Sequence, residues 1–336
     1  MRSNEFNNKI FSIFPLSSTK FSLARLMVRL YEQQYQTWPL LKKNYDALHK
    51  VKIRKVRCNN HTVTVQWNPE RITSSTANID KKEIAVRPCF LCVDNLPEKQ
   101  RAISYRDTLF ILCNPFPIFH HHFTICSSSH TVQEFEPNIP LMLDLAELLD
   151  SRFTVFYNGP RCGASAPDHF HFQAVPSGIL GIENLTADLS GRITEVTMHK
   201  ATVSLFYNIG CPYFLIQGAE KDNINNHIIT IIKELRFLLT NYIDTEPMIN
   251  VLATFCENQW HIYLFPRAAH RPSFYFAQGE EKKIISPASI DISGFIITPR
   301  QEDFETLSSD QIESMFNEVS VPLSMLHTIM KRIDTK

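Results

Sequence analysis

The chain has little glycine, no surplus of charge of either sign and no long apolar run. Nine glycines among 336 residues leave no Gly/Ser-rich linker between the halves, so one fused two-lobed body is expected rather than domains on a tether. Lys plus Arg and Asp plus Glu each number 34, so no overall field draws the protein to nucleic acid or to a membrane surface, and any anion site must be local. No stretch approaches the roughly 20 apolar residues of a membrane span, and the stretch from Met1 to Lys9 lacks the apolar centre of a signal peptide. A cytoplasmic location is the expectation. Hydrophobic content of 44% and charged content of 20% then describe a soluble globular chain, long enough for a sizeable core.

Eight cysteines would allow four disulfides, but without an export signal the thiols are expected to stay reduced. Cys113 and Cys126 sit in apolar, strand-like runs that suit buried free thiols. Cys89 and Cys92 differ. In Arg87-Pro88-Cys89-Phe90-Leu91-Cys92 one tight turn offers two thiolates to the same metal, and a tetrahedral zinc then needs two further ligands. A redox role would need a thioredoxin-like βαβ pattern, which the flanking sequence lacks.

The most informative stretch runs from Tyr157 to Gln173: Asn158-Gly159, then Gly163-Ala164-Ser165, then Asp168-His169-Phe170-His171-Phe172-Gln173. On a strand from Asp168 to Val175, His169, His171 and Gln173 share one face while Phe170 and Phe172 take the core face. The small residues before them let backbone N–H groups approach an anion. A strand carrying His-x-His is also a common surface or core feature. Together with the upstream turn, however, it describes a phosphate-handling site.

These residues resemble the active-site segment of the galactose-1-phosphate uridylyltransferase branch of the histidine-triad superfamily, which also holds diadenosine tetraphosphate phosphorylases and GDP-hexose phosphorylases. The resemblance implies an α+β, duplicated histidine-triad-like fold, with antiparallel sheets and packed helices. It makes His171 the nucleophile that forms a covalent nucleotidyl-histidine. It implies a structural Zn2+ held by Cys89, Cys92, His130 and His169, and it assigns Arg71, after the strand ending at Trp67, to the nucleotide phosphates. Asn114, Phe116 and Pro117, in the loop Asn114-Pro115-Phe116-Pro117, are implied to contact base and ribose. Around His171, Gln173 is expected to donate to a non-bridging phosphate oxygen and Ser165 to a leaving phosphate. Asn158 and the backbone from Gly163 through Ala164 to Ser165 complete the phosphate subsite. His120, His121 and His122 cannot all converge, because consecutive strand residues alternate faces, and at most one, His122, is expected to face the site.

Helical spacing of apolar residues predicts a helix from Phe21 to about Thr37, ended by Pro39, and a short one over Leu40–His49. Residues 1–50 are thus read as a helical extension, 51–193 as the catalytic half with the zinc site, and 194–336 as a second histidine-triad-like half with C-terminal helices. In that half a helix is expected over Ile224–Ile243, and Arg267 and His270, with Arg271, are candidates for a departing or incoming phosphate. A structural arginine paired with an acidic residue is the alternative reading. His261 alone stands where the galactose enzymes carry several metal-binding histidines, which puts a second metal in doubt.

The expected reaction is nucleotidyl transfer or phosphorolysis of an NDP-sugar, with phosphate or a sugar phosphate as acceptor. A dinucleoside polyphosphate donor is the nearest alternative. A histidine-triad hydrolase and a non-catalytic nucleotide-binding module are the others. Gln173, which cannot act as a general acid, stands where such hydrolases carry a further histidine. Neither nucleic acid nor membrane is an expected partner, and a homodimer is left open.

Overall fold

The computed structural model describes residues 8–15, 20–59, 61–76, 84, 86–185, 189–239 and 245–335. Its centre is an 11-stranded sheet. The first half supplies β1 (Ile10–Phe14), β4 (Ala102–Tyr105), β5 (Leu109–Cys113), β6 (Phe123–Ser127), β7 (Phe153–Asn158) and β8 (His171–Pro176). The second supplies β9 (Arg192–Met198), β10 (Ala201–Tyr207), β11 (Pro212–Gly218), β12 (Ile249–Cys256) and β13 (Gln259–Pro266). A three-stranded sheet holds β2 (Lys52–Cys58), β3 (His61–Trp67) and β14 (Phe295–Thr298).

The duplication is visible in strand order. The first half runs β4-β5-β6-β8-β7 and the second β9-β10-β11-β13-β12, and the two copies join edge to edge where β7 pairs antiparallel with β12, Asn158 opposite Asn250. In each copy a helix follows the third strand: α3 (Ile139–Leu149) in the first, α4 (Lys221–Leu238) in the second. The copies differ in the link between their last two strands. In the first, residues 159–170 carry the glycine-alanine-serine turn, whereas β12 and β13 are joined by Glu257 and Asn258, both at positive φ. In this glycine-poor chain, tight hairpins are turned by such residues, as also by Arg106-Asp107 and His199-Lys200.

The N-terminal segment contributes more than helices. The expected helices are present as α1 (Lys20–Thr37) and α2 (Pro39–Ala47), Pro39 sitting where its missing N–H costs nothing. The strand β1, unforeseen in the sequence, pairs in parallel with β4. α4 ends at Leu238, short of the expected Ile243; residues 240–244 lie outside those described.

One face of the large sheet packs against α1, α3, α4 and the C-terminal helix α6 (Leu323–Asp334), and this core takes in Phe170 and Phe172. Over the second half, the other face is covered by β2, β3, β14 and α5 (Ser309–Val319), through residues such as Leu252, Tyr263 and Phe316. On β8 that cover takes in only Val175. Leu112, Thr124, His171 and Gln173, from β5, β6 and β8, are left lining a cleft.

Candidate active site

The strand of the motif begins at His171, three residues later than the expected Asp168. The chain before it is nonetheless held in place: the Phe170 N–H donates to the Thr131 carbonyl at 2.7 Å, and its carbonyl accepts from the Ser127 N–H at 3.0 Å. Gln133, which carries no sequence signal, clamps this point. Its oxygen accepts from the His171 N–H at 2.7 Å, and its NH2 donates to the carbonyls of His171 and Asn158 at 3.1 and 3.0 Å.

His171 Nδ1 lies 2.9 Å from the His169 carbonyl. A carbonyl only accepts, so the ring proton sits on Nδ1 and Nε2 keeps its lone pair. Burial pushes the imidazole down to about 4, so the ring is neutral at pH 7.

His171 and Gln173 line a largely apolar cavity of about 640 Å3, walled by Trp38, Leu40, Phe90, Leu91, Leu112 and Phe116. Gln173, Ser165 and Arg71 also line a second, small and polar space of about 50 Å3, completed by Asn158, His270, Arg271, Ser286 and Asp291. Arg71 therefore stands between the two. Its Nη1 donates to the Phe116 carbonyl at 2.6 Å, and burial lowers its guanidinium only to about 10, so it stays charged. His270 is pushed down to about 3 by burial and by Arg271 and Arg267, so it too is neutral. Ser286 accepts from Arg271 Nε at 3.0 Å and lies 3.4 Å from His270 Nε2. Asp291 is raised to about 6 by burial, and its two oxygens accept from the N–H groups of Ile297 and Ala288.

Asn158 faces the polar space with a fixed polarity. Its oxygen accepts from Asn250 Nδ2 at 3.0 Å and from the N–H and hydroxyl of Ser289 at 2.9 and 2.7 Å, which turns its NH2 outward. Gly163 has φ +109°, and a Cβ there would lie 2.5 Å from the Ala288 Cβ; only glycine fits.

Three expectations need correction. Arg267 does not meet a phosphate: it is fully buried, and its N–H groups donate to the carbonyls of Val319, Pro287, Ala269 and His270 and to Asn250 Oδ1. Nor is it paired with an acid; it braces Asn250, which in turn sets Asn158. Pro117 does not line either space, and its carbonyl accepts from Asn68 Nδ2 at 3.1 Å, while Pro115 lines the apolar cavity instead. The Ala164 N–H points to the Gly159 carbonyl at 3.4 Å, away from any ligand, although its side chain lines the polar space. Asn114 lines the apolar cavity; its oxygen accepts from the Phe116 N–H at 2.9 Å and its NH2 lies 3.5 Å from Gln173 Oε1.

Beside the cleft, Cys89, Cys92, His130 and His169 bring their four donor atoms within 4.8 Å of one another. Cys89 Sγ lies 3.3 Å from His169 Nδ1, and Cys92 Sγ lies 3.3 Å from His130 Nδ1 and 3.6 Å from His169 Nδ1. A tetrahedral zinc with ordinary bond lengths gives a sulfur–nitrogen edge of about 3.5 Å, so the donor set fits that ion. The outer nitrogens are engaged as ligand histidines require. His169 Nε2 donates to the Ser127 carbonyl at 2.9 Å, and His130 Nε2 lies 3.5 Å from Asp168 Oδ2. His261 Nδ1 lies 3.6 Å from Cys256 Sγ, and no second cluster of three or more such ligands occurs among the described residues.

Residues 214–334 match the family described as GDPGP1-like, C-terminal domain, and residues 30–176 match a domain of unknown function, DUF4922. The fold is that of yeast Ap4A phosphorylase Apa2. The structure of Apa2 alone aligns at 16% identity over 90% of this chain and 95% of that one, with a TM-score of 0.59. Its complex with Ap4A aligns at 15% over 89% and 97%, with a TM-score of 0.58. The chain thus shares its fold with Apa2 and, over residues 214–334, is similar to the GDPGP1-like C-terminal domain. No curated protein matches its sequence. The polar space is built from both halves: Asn158, Ser165 and Gln173 come from the first, and His270, Arg271, Ser286 and Asp291 from the stretch that matches the GDPGP1-like domain.

Proposed function

We propose that the chain is a nucleotide phosphorylase that works through a nucleotidyl-His171 intermediate, with an NDP-sugar as donor and inorganic phosphate as acceptor. The observation that carries this is the His171 ring, neutral and with Nδ1 committed to the His169 carbonyl, leaving a lone pair on Nε2 beside a nucleoside-sized cavity. Nε2 attacks the α-phosphorus, the bond from phosphorus to the bridging oxygen breaks, and the sugar phosphate departs with that oxygen. A phosphate oxygen then attacks the same phosphorus, the phosphorus–nitrogen bond breaks, and the nucleoside diphosphate leaves with the ring neutral again. Gln173 and Arg71 supply donors and positive charge where charge develops.

The nucleoside is assigned to the apolar cavity and the acceptor to the polar space. The latter's 50 Å3 is on the scale of one tetrahedral anion, as an acceptor phosphate requires. The likeness of residues 214–334 to the GDPGP1-like domain supports a nucleotide-sugar donor. The Apa2 fold keeps a dinucleoside polyphosphate as the second reading.

The four-ligand cluster is proposed to hold a structural Zn2+. With four protein ligands it has no open position; when bound it would brace the residues before β8 and the turn that presents Phe90 and Leu91 to the cavity. Intact-mass measurement after incubation with NDP-sugars and dinucleoside polyphosphates tests the reading. A nucleoside-monophosphate increment with an NDP-sugar is expected; an increment with dinucleotides alone favours the second reading, and none with any donor overturns both.

A further inference from the structure

The side chain of Gln173 can serve a phosphate only with one end outward, since the NH2 attracts phosphate oxygens and the carbonyl oxygen repels them. The two ends are nearly the same size, so shape alone does not choose between them. We propose that His122 is a positioning residue that sets this choice, holding the Gln173 oxygen inward so that the NH2 meets the α-phosphate. The inference rests on the nucleotidyl-transfer reading above.

The argument starts from a group whose polarity cannot be reversed. The backbone N–H of Ile118 donates to His122 Nδ1 at 3.3 Å. Nδ1 must therefore be the unprotonated nitrogen, and the ring proton lies on Nε2. Nε2 is 2.8 Å from Gln173 Oε1, so the ring donates and the amide oxygen accepts. Asn114 Nδ2, at 3.5 Å, offers the same oxygen a second donor. A flipped amide would set its NH2 against both.

The ring itself is immobilised. His122 is fully buried, and its carbonyl accepts from the Tyr45 hydroxyl at 3.0 Å and the Asn114 N–H at 2.9 Å. Burial and the nearby Arg71 keep it neutral, which the arrangement needs, because an imidazolium would turn an N–H against Ile118. Gln173 Nε2 has no partner among the described residues, and the side chain lines both spaces of the cleft. His122 thus touches no substrate and acts through Gln173.

The test compares His122→Phe, which removes the donor, with His122→Gln, whose Nε2 can replace it, and with Gln173→Ala. GDP-glucose is the nucleotidyl donor and GMP the binding probe. His122→Phe should slow single-turnover labelling of His171 on the order of 10- to 100-fold, less than the roughly 100- to 1,000-fold expected for Gln173→Ala. GMP affinity should change less than about twofold, and His122→Gln should recover most of the rate. Nitrogen-15 NMR of wild type should show His122 as the neutral Nε2–H tautomer, its signal assigned by loss in His122→Gln. An Nδ1–H tautomer, or wild-type labelling in His122→Phe, overturns the proposal. If His122→Phe does not fold, the tautomer and the His122→Gln rate decide. If GDP-glucose leaves no label on wild type, the functional reading fails for that donor, and the tautomer still decides the role of His122.

Discussion

Replacing Arg267 with Met should unfold the protein at lower temperature, because this guanidinium is part of the interior. All its N–H groups are used, four acceptors being backbone carbonyls and the fifth Asn250 Oδ1. Met fills similar volume but leaves those oxygens unsatisfied. Breaking such a buried network costs on the order of 3–5 kcal/mol, which in a chain of this size lowers Tm by about 4–7 °C. Arg271→Met is the contrast. That residue lines the polar space and lies 4.2 Å over the Tyr275 ring, so its loss should raise KM for phosphate with a smaller fall in Tm. Differential scanning fluorimetry and steady-state kinetics with varied phosphate separate the two. A native Tm in Arg267→Met would refute the assignment of Arg267 to the interior.

Cys89→Ser combined with Cys92→Ser should abolish the expected one zinc per chain and lower Tm, because structural metal binding is linked to folding; full zinc by elemental analysis would sink the site. Gly163→Ala forces a side chain into φ +109° and within 2.5 Å of Ala288, so roughly 2–4 kcal/mol of stability should be lost in chemical denaturation, and an unchanged midpoint would contradict the packing. Glu246 accepts from Tyr157 and from the N–H groups of Phe135 and Glu136, and burial raises its carboxyl from an ordinary 4.5 to about 7. The folded state therefore holds this proton more tightly than the unfolded one, and the resulting stability, present below pH 4.5, is lost as pH rises through about 7. Glu246→Gln should flatten the fall of Tm across that window; superimposable curves would exclude the effect.

Much of the site lay within reach of local pattern. Alternation placed His171 and Gln173 on one face and Phe170 and Phe172 in the core, and the spacing of Cys89 and Cys92 marked the turn where four donor atoms meet. What escaped depends on distant contacts. Ser289 reaches Asn158 across 131 residues, and Gln133 clamps His171 from a loop with no motif. Arg267 looks identical in sequence whether it meets a phosphate or five buried acceptors; only the packing of β12 and β13 against residues 287 and 319 decides. β1 escaped because a five-residue edge strand has too short a pattern to declare itself.

The central claim is that His171 carries the nucleotidyl group. Incubation with a nucleotide donor radiolabelled at the α-phosphorus, followed by acid and alkaline treatment, measures it directly in wild type, His169→Asn and His171→Gly. The account predicts a label that is lost in acid and kept in alkali on wild type, a weaker one on His169→Asn, and none on His171→Gly. An equal label on His171→Gly contradicts it.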